Sequence, residues 1–194
     1  MTGNEMAKKR EGELGATEIE RVWARVYGNP AWSVKKGHGS FLTLEFGTPS
    51  LQIREPIKVS PHTSESVRDA LTRRRTHVVG EWHLWIYCCN WSILFKGQEA
   101  AHSESPDSTI QSAVERLDGQ RITSVSDGPL LGSWCFTFDQ GGTLTTSPYE
   151  DDPSDEQWLL YERESGWVLT ARADNHYSYG PSDQRCDEQN WKKI

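Results

Sequence analysis

The chain has 194 residues, 35% hydrophobic and 25% charged, with a formal net charge of −7. That length holds one good core or two small domains, and the composition suits a globular protein rather than a disordered one. The negative balance disfavours nonspecific binding to nucleic acid and suits a basic partner. The longest apolar run, Leu84 to Cys89, is far shorter than the about 20 residues of a membrane span. Met1 to Gly15 has no apolar stretch of the signal-peptide kind, so the sequence reads as cytoplasmic and away from membranes.

Taken in chain order, residues 1–16 read as a flexible lead with a basic spot at Lys8-Lys9-Arg10. Thr17-x-x-Glu20 has the spacing of a capping box and predicts a helix start. Ile19, Val22, Trp23 and Val26 form its apolar stripe, and Gly28 stops it. The same opening returns lower down. Ser108 reads as a cap, Ile110, Ala113, Val114 and Leu117 as the stripe, and Gly119 as the stop. The offset is 91, from Ile19 to Ile110 and from Gly28 to Gly119.

First strands follow at Ala31 to Val34 and Ile122 to Val125. Alternating strands come next, Phe41 to Gly47 and Trp134 to Gly142, and each restart, at Leu51 and Leu144, predicts a hairpin. Thirty residues separate Leu51 from Trp82 but only 13 separate Leu144 from Trp158. The first, longer segment predicts a short helix over Ser64 to Leu71 that ends in Arg73-Arg74-Arg75, where cations suit a helix C-terminus.

A Trp-rich stretch closes each half. Laid without gaps, Trp82 falls on Trp158, Leu84 on Leu160 and Trp91 on Trp167, a constant offset of 76. Each is expected to be a hairpin. In the first, Trp82, Leu84, Ile86 and Cys88 share one face, while Trp85 and Tyr87 share the other. Two apolar faces predict a central strand covered on both sides, so Trp82, Trp85, Trp91, Trp158 and Trp167 are read as core rather than as a stacking platform for a base or sugar. The expected fold is α+β: two tandem units of a helix plus antiparallel hairpins, 17–103 and 108–179, with internal pseudo-twofold symmetry and a shared core. A polar tail at 180–194 follows, pinned by Trp191.

Familiar catalytic patterns are missing. There is no GxSxG, P-loop, HExxH or CxxC, so no cofactor or metal is expected, and the four cysteines read as reduced thiols. Gly37-His38-Gly39-Ser40 reads as a hairpin-entry turn. Glu150, Asp151, Asp152, Asp155 and Glu156 form an acidic, Pro-broken connection without the pattern of a calcium loop. A dense carboxylate loop can steer and pair a basic protein, so these five are the candidate partner-binding residues.

The second half reads LDGQRITSV, FTFDQGGTL, DEQWLLY and GWVLTARADNHYSY. Over residues 110 to 179 this resembles a group of small bacterial proteins of unknown function, with an LxGxxI opening, an FxF..GxxL hairpin and a terminal EQWxLY. That group resembles immunity-like proteins that accompany secreted toxins. The resemblance implies a non-enzymatic protein-binding module that neutralises a toxin, expected to be basic, by occlusion. No catalytic residue carries over from it. Two alternatives stay open: an enzyme assembled from scattered residues such as His38, His83 and Asp174, and a structural or regulatory homodimer subunit joined through a sheet edge.

Overall fold

A computed structural model describes residues 17–60, 62–149, 152–185 and 188–194. Among these residues it is a mixed, mostly antiparallel structure with three short helices. Helix α1 spans Glu18–Trp23, α2 Glu65–Leu71 and α3 Asp107–Leu117. The strands are β1 Trp32–Lys36, β2 Leu42–Phe46, β3 Ser50–Arg54, β4 Arg75–Val79, β5 Trp82–Ile86, β6 Cys89–Phe95 and β7 Gln98–His102 in the first half. In the second half they are β8 Ile122–Asp127, β9 Trp134–Phe138, β10 Gly142–Pro148, β11 Glu156–Glu162, β12 Trp167–Arg172, β13 His176–Pro181 and β14 Lys192–Lys193. A seven-stranded sheet runs β1-β2-β5-β11-β12-β13-β14, a five-stranded sheet runs β7-β6-β10-β9-β8, and β3 and β4 pair apart from both.

Helix α1 forms as its sequence predicts. The Thr17 hydroxyl accepts from the Glu20 amide at 3.2 Å and the Glu20 carboxylate accepts from the Thr17 amide at 2.6 Å. Gly28 and Gly119 take φ of +84° and +86° after the two helices, the left-handed region that suits glycine. Ser108 is not a cap. Pro106 holds that position without a side-chain bond, and Ser108 sits inside the first turn.

Two predicted hairpins are corrected. β2 does not turn back into β3; it pairs with β1 and β5, while β3 pairs with β4. The chain leaves the sheet at Gly47 and returns at Gly80. A Cβ on Gly80 would stand 2.4 Å from the Phe46 carbonyl oxygen, so only glycine lets the return strand lie that close. Between them β3, α2 and β4 form an arm, with Leu51, Ile53 and Val78 exposed. The Trp-rich stretch of the first half is not a hairpin either. β5 lies in the larger sheet and β6 in the smaller one, so the chain crosses between layers at Tyr87-Cys88. The crossing breaks the alternation: Cys89, not Cys88, turns inward. The predicted second-half hairpins, β9 with β10 and β11 with β12, are present.

Of the pairs at the gapless offset of 76, Trp82 and Trp158 are both buried, while Trp91 and Trp167 differ. Trp91 is buried and Trp167 is 39% exposed. Trp91 pairs with Thr146 on β10 and Trp158 with Ile86 on β5, each on the first strand past a crossing. The offset of 91, by contrast, recurs in the bonding. The Gly28 amide donates to the Ile122 carbonyl and the Gly119 amide to the Ala31 carbonyl, at 2.8 and 2.7 Å. The Ala31 amide donates to Gln120 and the Ile122 amide to Asn29, at 2.8 and 3.1 Å. Tyr27 Oη accepts from the Val125 amide and Asp118 Oδ2 from the Val34 amide, both at 3.0 Å. In each pair the numbers differ by 91.

One hydrophobic cluster fills the space between the sheets and draws on both halves. Trp158 stands at its centre, fully buried, edge-to-face with Trp134 at 4.9 Å, Trp23 at 5.8 Å and Phe136 at 5.8 Å. The C-terminal segment is pinned as expected. β14 pairs with β13, and the Arg172 guanidinium lies 4.6 Å over the Trp191 ring. β13 itself runs to Pro181, past the expected boundary at 179.

Truncating Trp158 to Ala empties the centre of this cluster. The expected cost is about 3–5 kcal/mol, read as a lower denaturation midpoint. A loss under about 1 kcal/mol, the scale of an ordinary surface change, would show that Trp158 is not central.

Candidate functional site

The acidic connection joins β10 of the smaller sheet to β11 of the larger one. Glu150 and Asp151 lie outside the described residues. Asp152 serves its own turn: Oδ1 accepts from the Ser154 amide at 2.8 Å and from the Ser154 hydroxyl at 2.6 Å. These bonds hold its carboxyl below the usual range. Two backbone bonds tie the connection to the β12–β13 turn. The Ala173 amide donates to the Asp155 carbonyl at 2.9 Å and the Asp174 amide to the Pro153 carbonyl at 3.1 Å.

Asp155 and Glu156 are half-buried rather than fully in solvent. Glu156 opens β11 opposite Arg172. Burial pushes its carboxyl up, and the Arg172 charge works the other way. Both carboxylates act electrostatically on the Tyr87 hydroxyl, which the neighbouring Cys88 raises most, with burial next. The acidic connection thus runs onto the outer face of the seven-stranded sheet.

That face carries the feature which the sequence reading assigned to a covered surface. Trp85 and Tyr87 are half-buried, not enclosed. With Phe41 they form an aromatic group, with ring centroids 4.6 Å apart for Trp85 and Tyr87, 4.8 Å for Phe41 and Tyr87 and 5.9 Å for Phe41 and Trp85. Trp85 pairs in register with Leu159, and His83 with Tyr161. The period-two run His83, Trp85, Tyr87 was the available signal. Whether the face is open depends on what else packs there.

Glu45 borders this aromatic group. Its Oε1 lies 2.7 Å from His83 Nδ1 and 3.5 Å from the Arg163 guanidinium, and its Oε2 accepts from the Gly80 amide at 2.8 Å. Burial opposes its charge. The hydrogen bonds from His83 and Gly80 and the charges of His83 and Arg163 outweigh that, so the carboxyl sits below its usual range. Glu162 is held low in the same way. Burial is opposed by Arg25 and by the Tyr179 hydroxyl, which donates to Oε2 at 2.8 Å.

The scattered residues of the enzyme alternative are not drawn together. His83 pairs with Glu45, Asp174 with Arg172 and His176, and His38 lies exposed in the β1–β2 turn. Among the described residues no group of three His, Cys, Asp or Glu is arranged to hold a metal ion, and no helix is long and apolar enough to cross a membrane. Trp82, Trp91 and Trp158 are core, as expected, while Trp85 is half-buried and Trp167 exposed. Arg73 and Arg74 follow α2 and pair with Asp69 and Glu55, both at 2.9 Å, and Arg75 begins β4. Cys88, Cys89 and Cys135 are free thiols. Compared with known protein families, curated proteins and solved structures, the chain matches none.

The Glu45 arrangement makes acid stability a direct readout. Because the fold favours the charged form, its contribution is complete above the ordinary carboxylate pKa of about 4.3 and fades as pH falls through the lower folded value. Glu45→Gln is expected to reduce stability at pH 7 and to flatten the acid limb of a melting-temperature profile between about pH 5 and 2. An unchanged profile would show that Glu45 does not contribute there.

Proposed function

We propose that the chain is a non-enzymatic protein-binding module that occludes a basic partner, with the outer face of the seven-stranded sheet as its docking surface. The carrying observation is the junction of the acidic connection with the Phe41, Trp85 and Tyr87 group. Half-buried aromatics beside carboxylates suit a docking face, because rigid rings supply contact area and the charges steer approach. Charge segregation supports this reading. The arm, residues 48–79, holds six Lys and Arg against three Asp and Glu, so −7 − (6 − 3) = −10 falls on the rest of the chain. The sequence resemblance adds the kind of partner: a toxin, neutralised in the cytoplasm by blocking its active-site rim.

The finer architecture belongs to the same reading. Residues 17–103 and 108–179 are two copies of one unit related by an internal pseudo-twofold axis that passes near Pro30 and Arg121. Those two positions bridge each other and differ by 91. In this reading β1-β2-β5 corresponds to β8-β9-β10, and β6-β7 to β11-β12. Each copy would then complete the other's sheet, and the arm is an insertion in the first copy alone. A homodimer is the second reading, favoured by the arm's exposed Leu51 and Val78, which face each other in the β3–β4 register.

Capture from a lysate of the source organism, with the full chain as bait, tests the first reading. One stoichiometric basic protein is expected, leaving as salt rises. Changing Glu150, Asp151, Asp152, Asp155 and Glu156 to their amides should slow association about tenfold at low salt. Trp85→Ala should weaken binding by about 2 kcal/mol. Binding that both variants leave intact would move the interface off this face. Sedimentation at rising concentration separates the homodimer, whose mass would double and then fall back in Leu51→Asp.

A further inference from the structure

The outer face of the five-stranded sheet holds a groove that the proposed docking surface does not use. Its floor is a row of side chains set by strand register, small except for His102: His102 pairs with Ser92, Ser92 with Thr145, and Thr145 with Cys135. Ser92, Thr145 and Cys135 are short, so the sheet surface lies low between His102 on one side and the β8–β9 loop on the other. The open groove has a volume of about 510 Å³, within the range of small-molecule sites.

One bank is the β8–β9 loop, and it is built rather than slack. The Gly128 amide donates to the Ser133 carbonyl at 2.7 Å and the Ser133 amide to the Leu130 carbonyl at 3.0 Å. The Ser133 hydroxyl accepts from the Leu130 amide at 3.0 Å and donates to the Leu130 carbonyl at 2.7 Å. Beneath it the Gln157 side-chain amide donates to the Gly132 carbonyl. Gly132 has φ of +68°, and a Cβ there would stand 2.0 Å from the Ala173 carbonyl oxygen, so the loop is pressed onto the body at that point. This tied loop nonetheless holds Leu130 66% and Leu131 74% exposed, with Leu130 lining the groove. A rigid loop that keeps an apolar side chain in water at the edge of a groove is a preformed contact surface.

The opposite bank is acidic. Glu99 and Glu104 line the groove, and among the described residues no Lys or Arg does. Glu99 is anchored by the Ser92 hydroxyl, which donates to its Oε2 at 2.9 Å. The two banks therefore demand different things of one ligand: a positive charge on the Glu99 side and an apolar body against Leu130, with hydroxyls between for hydrogen bonds. Anionic and phosphate-bearing ligands would meet two carboxylates.

We propose that this groove binds a small organic amine with an apolar body, its ammonium toward Glu99 and Glu104 and its hydrocarbon part against Leu130. The site lies on the other sheet from the proposed docking face and stands or falls separately from it.

Phenethylamine is the probe, titrated into the full chain and followed by amide chemical shifts, with phenylacetate as the anionic analogue of the same shape. Saturable shifts confined to Ser92, Thr145, Cys135 and the Leu130 loop are expected for the amine and not for the acid. Glu99→Gln with Glu104→Gln should weaken amine binding about tenfold or more. Leu130→Ser should weaken it severalfold, and both variants should keep the parent melting temperature because the changed side chains are exposed. Non-saturating amine shifts, equal shifts with phenylacetate, or an affinity indifferent to the glutamates would overturn the proposal. Tighter binding of Nα-acetyl-lysine-N-methylamide than of phenethylamine would also overturn it, assigning the groove to lysine side chains of a protein.

Discussion

Everything else in this molecule hangs on the contact between two sheets, and Trp158 makes that contact. Its indole touches Trp134 and Phe136 from the smaller sheet and Trp23 from α1. Edge-to-face aromatic packing adds about 0.5–1.5 kcal/mol per pair beyond burial. Such packing also has a preferred geometry, so it fixes the spacing and rotation of the layers more tightly than aliphatic contacts would. With the layers set, the strand faces that point away from Trp158 become the outer surfaces. Those surfaces carry the aromatic group on one side of the molecule and the groove on the other.

Polar contacts close the ends of the sandwich. The segments after α1 and α3 exchange four backbone hydrogen bonds, from Gly28, Ala31, Gly119 and Ile122. Arg25 pairs with Glu162, and its guanidinium lies 4.8 Å over the Trp82 ring. Arg116 lies 3.8 Å over Phe95. The two arginines differ by 91, and each covers the aromatic edge of a different sheet. Position 27 and position 118 likewise both satisfy an amide on the first strand of the other half, once through a phenol and once through a carboxylate. Both strands are sheet edges, where an amide needs an acceptor from outside the sheet, and either oxygen serves.

The arm departs from this economy. A lone two-stranded ribbon is marginal in water, and β3 and β4 leave most of their side chains exposed. Local bonds hold it. Arg54 donates to the Ala70 carbonyl at 2.5 Å, and Arg74 pairs with Glu55. Its basic charge stands against the acidic remainder, so the net charge of the whole chain understates how acidic the rest of it is.

Much of the local structure was legible in the chain itself. The capping box at Thr17, the stripes of α1 and α3, the turning glycines at 28 and 119, the helix before Arg73 and the alternation of β9 rest on contacts a few residues apart. The burial of Trp23, Trp134 and Trp158 follows from their size and apolar character. Strand partnership was not legible. Alternation says that a strand has an inner face, but it is satisfied equally by any neighbour, so β2 could be given to β3 when the structure gives it to β5. The gapless match of Trp91 with Trp167 joins strands of different sheets, one residue buried and the other exposed, because similar apolar patterns recur on strands with different neighbours. The acidic residues Asp152, Asp155 and Glu156 were visible as charges. Their division into a turn brace and two half-buried neighbours of Tyr87 was decided by where β11 lands beside β5. Composition and periodicity determine which residues seek the interior. Only the closed tertiary structure decides which faces remain open, because exposure depends on every segment that packs nearby, however distant in sequence.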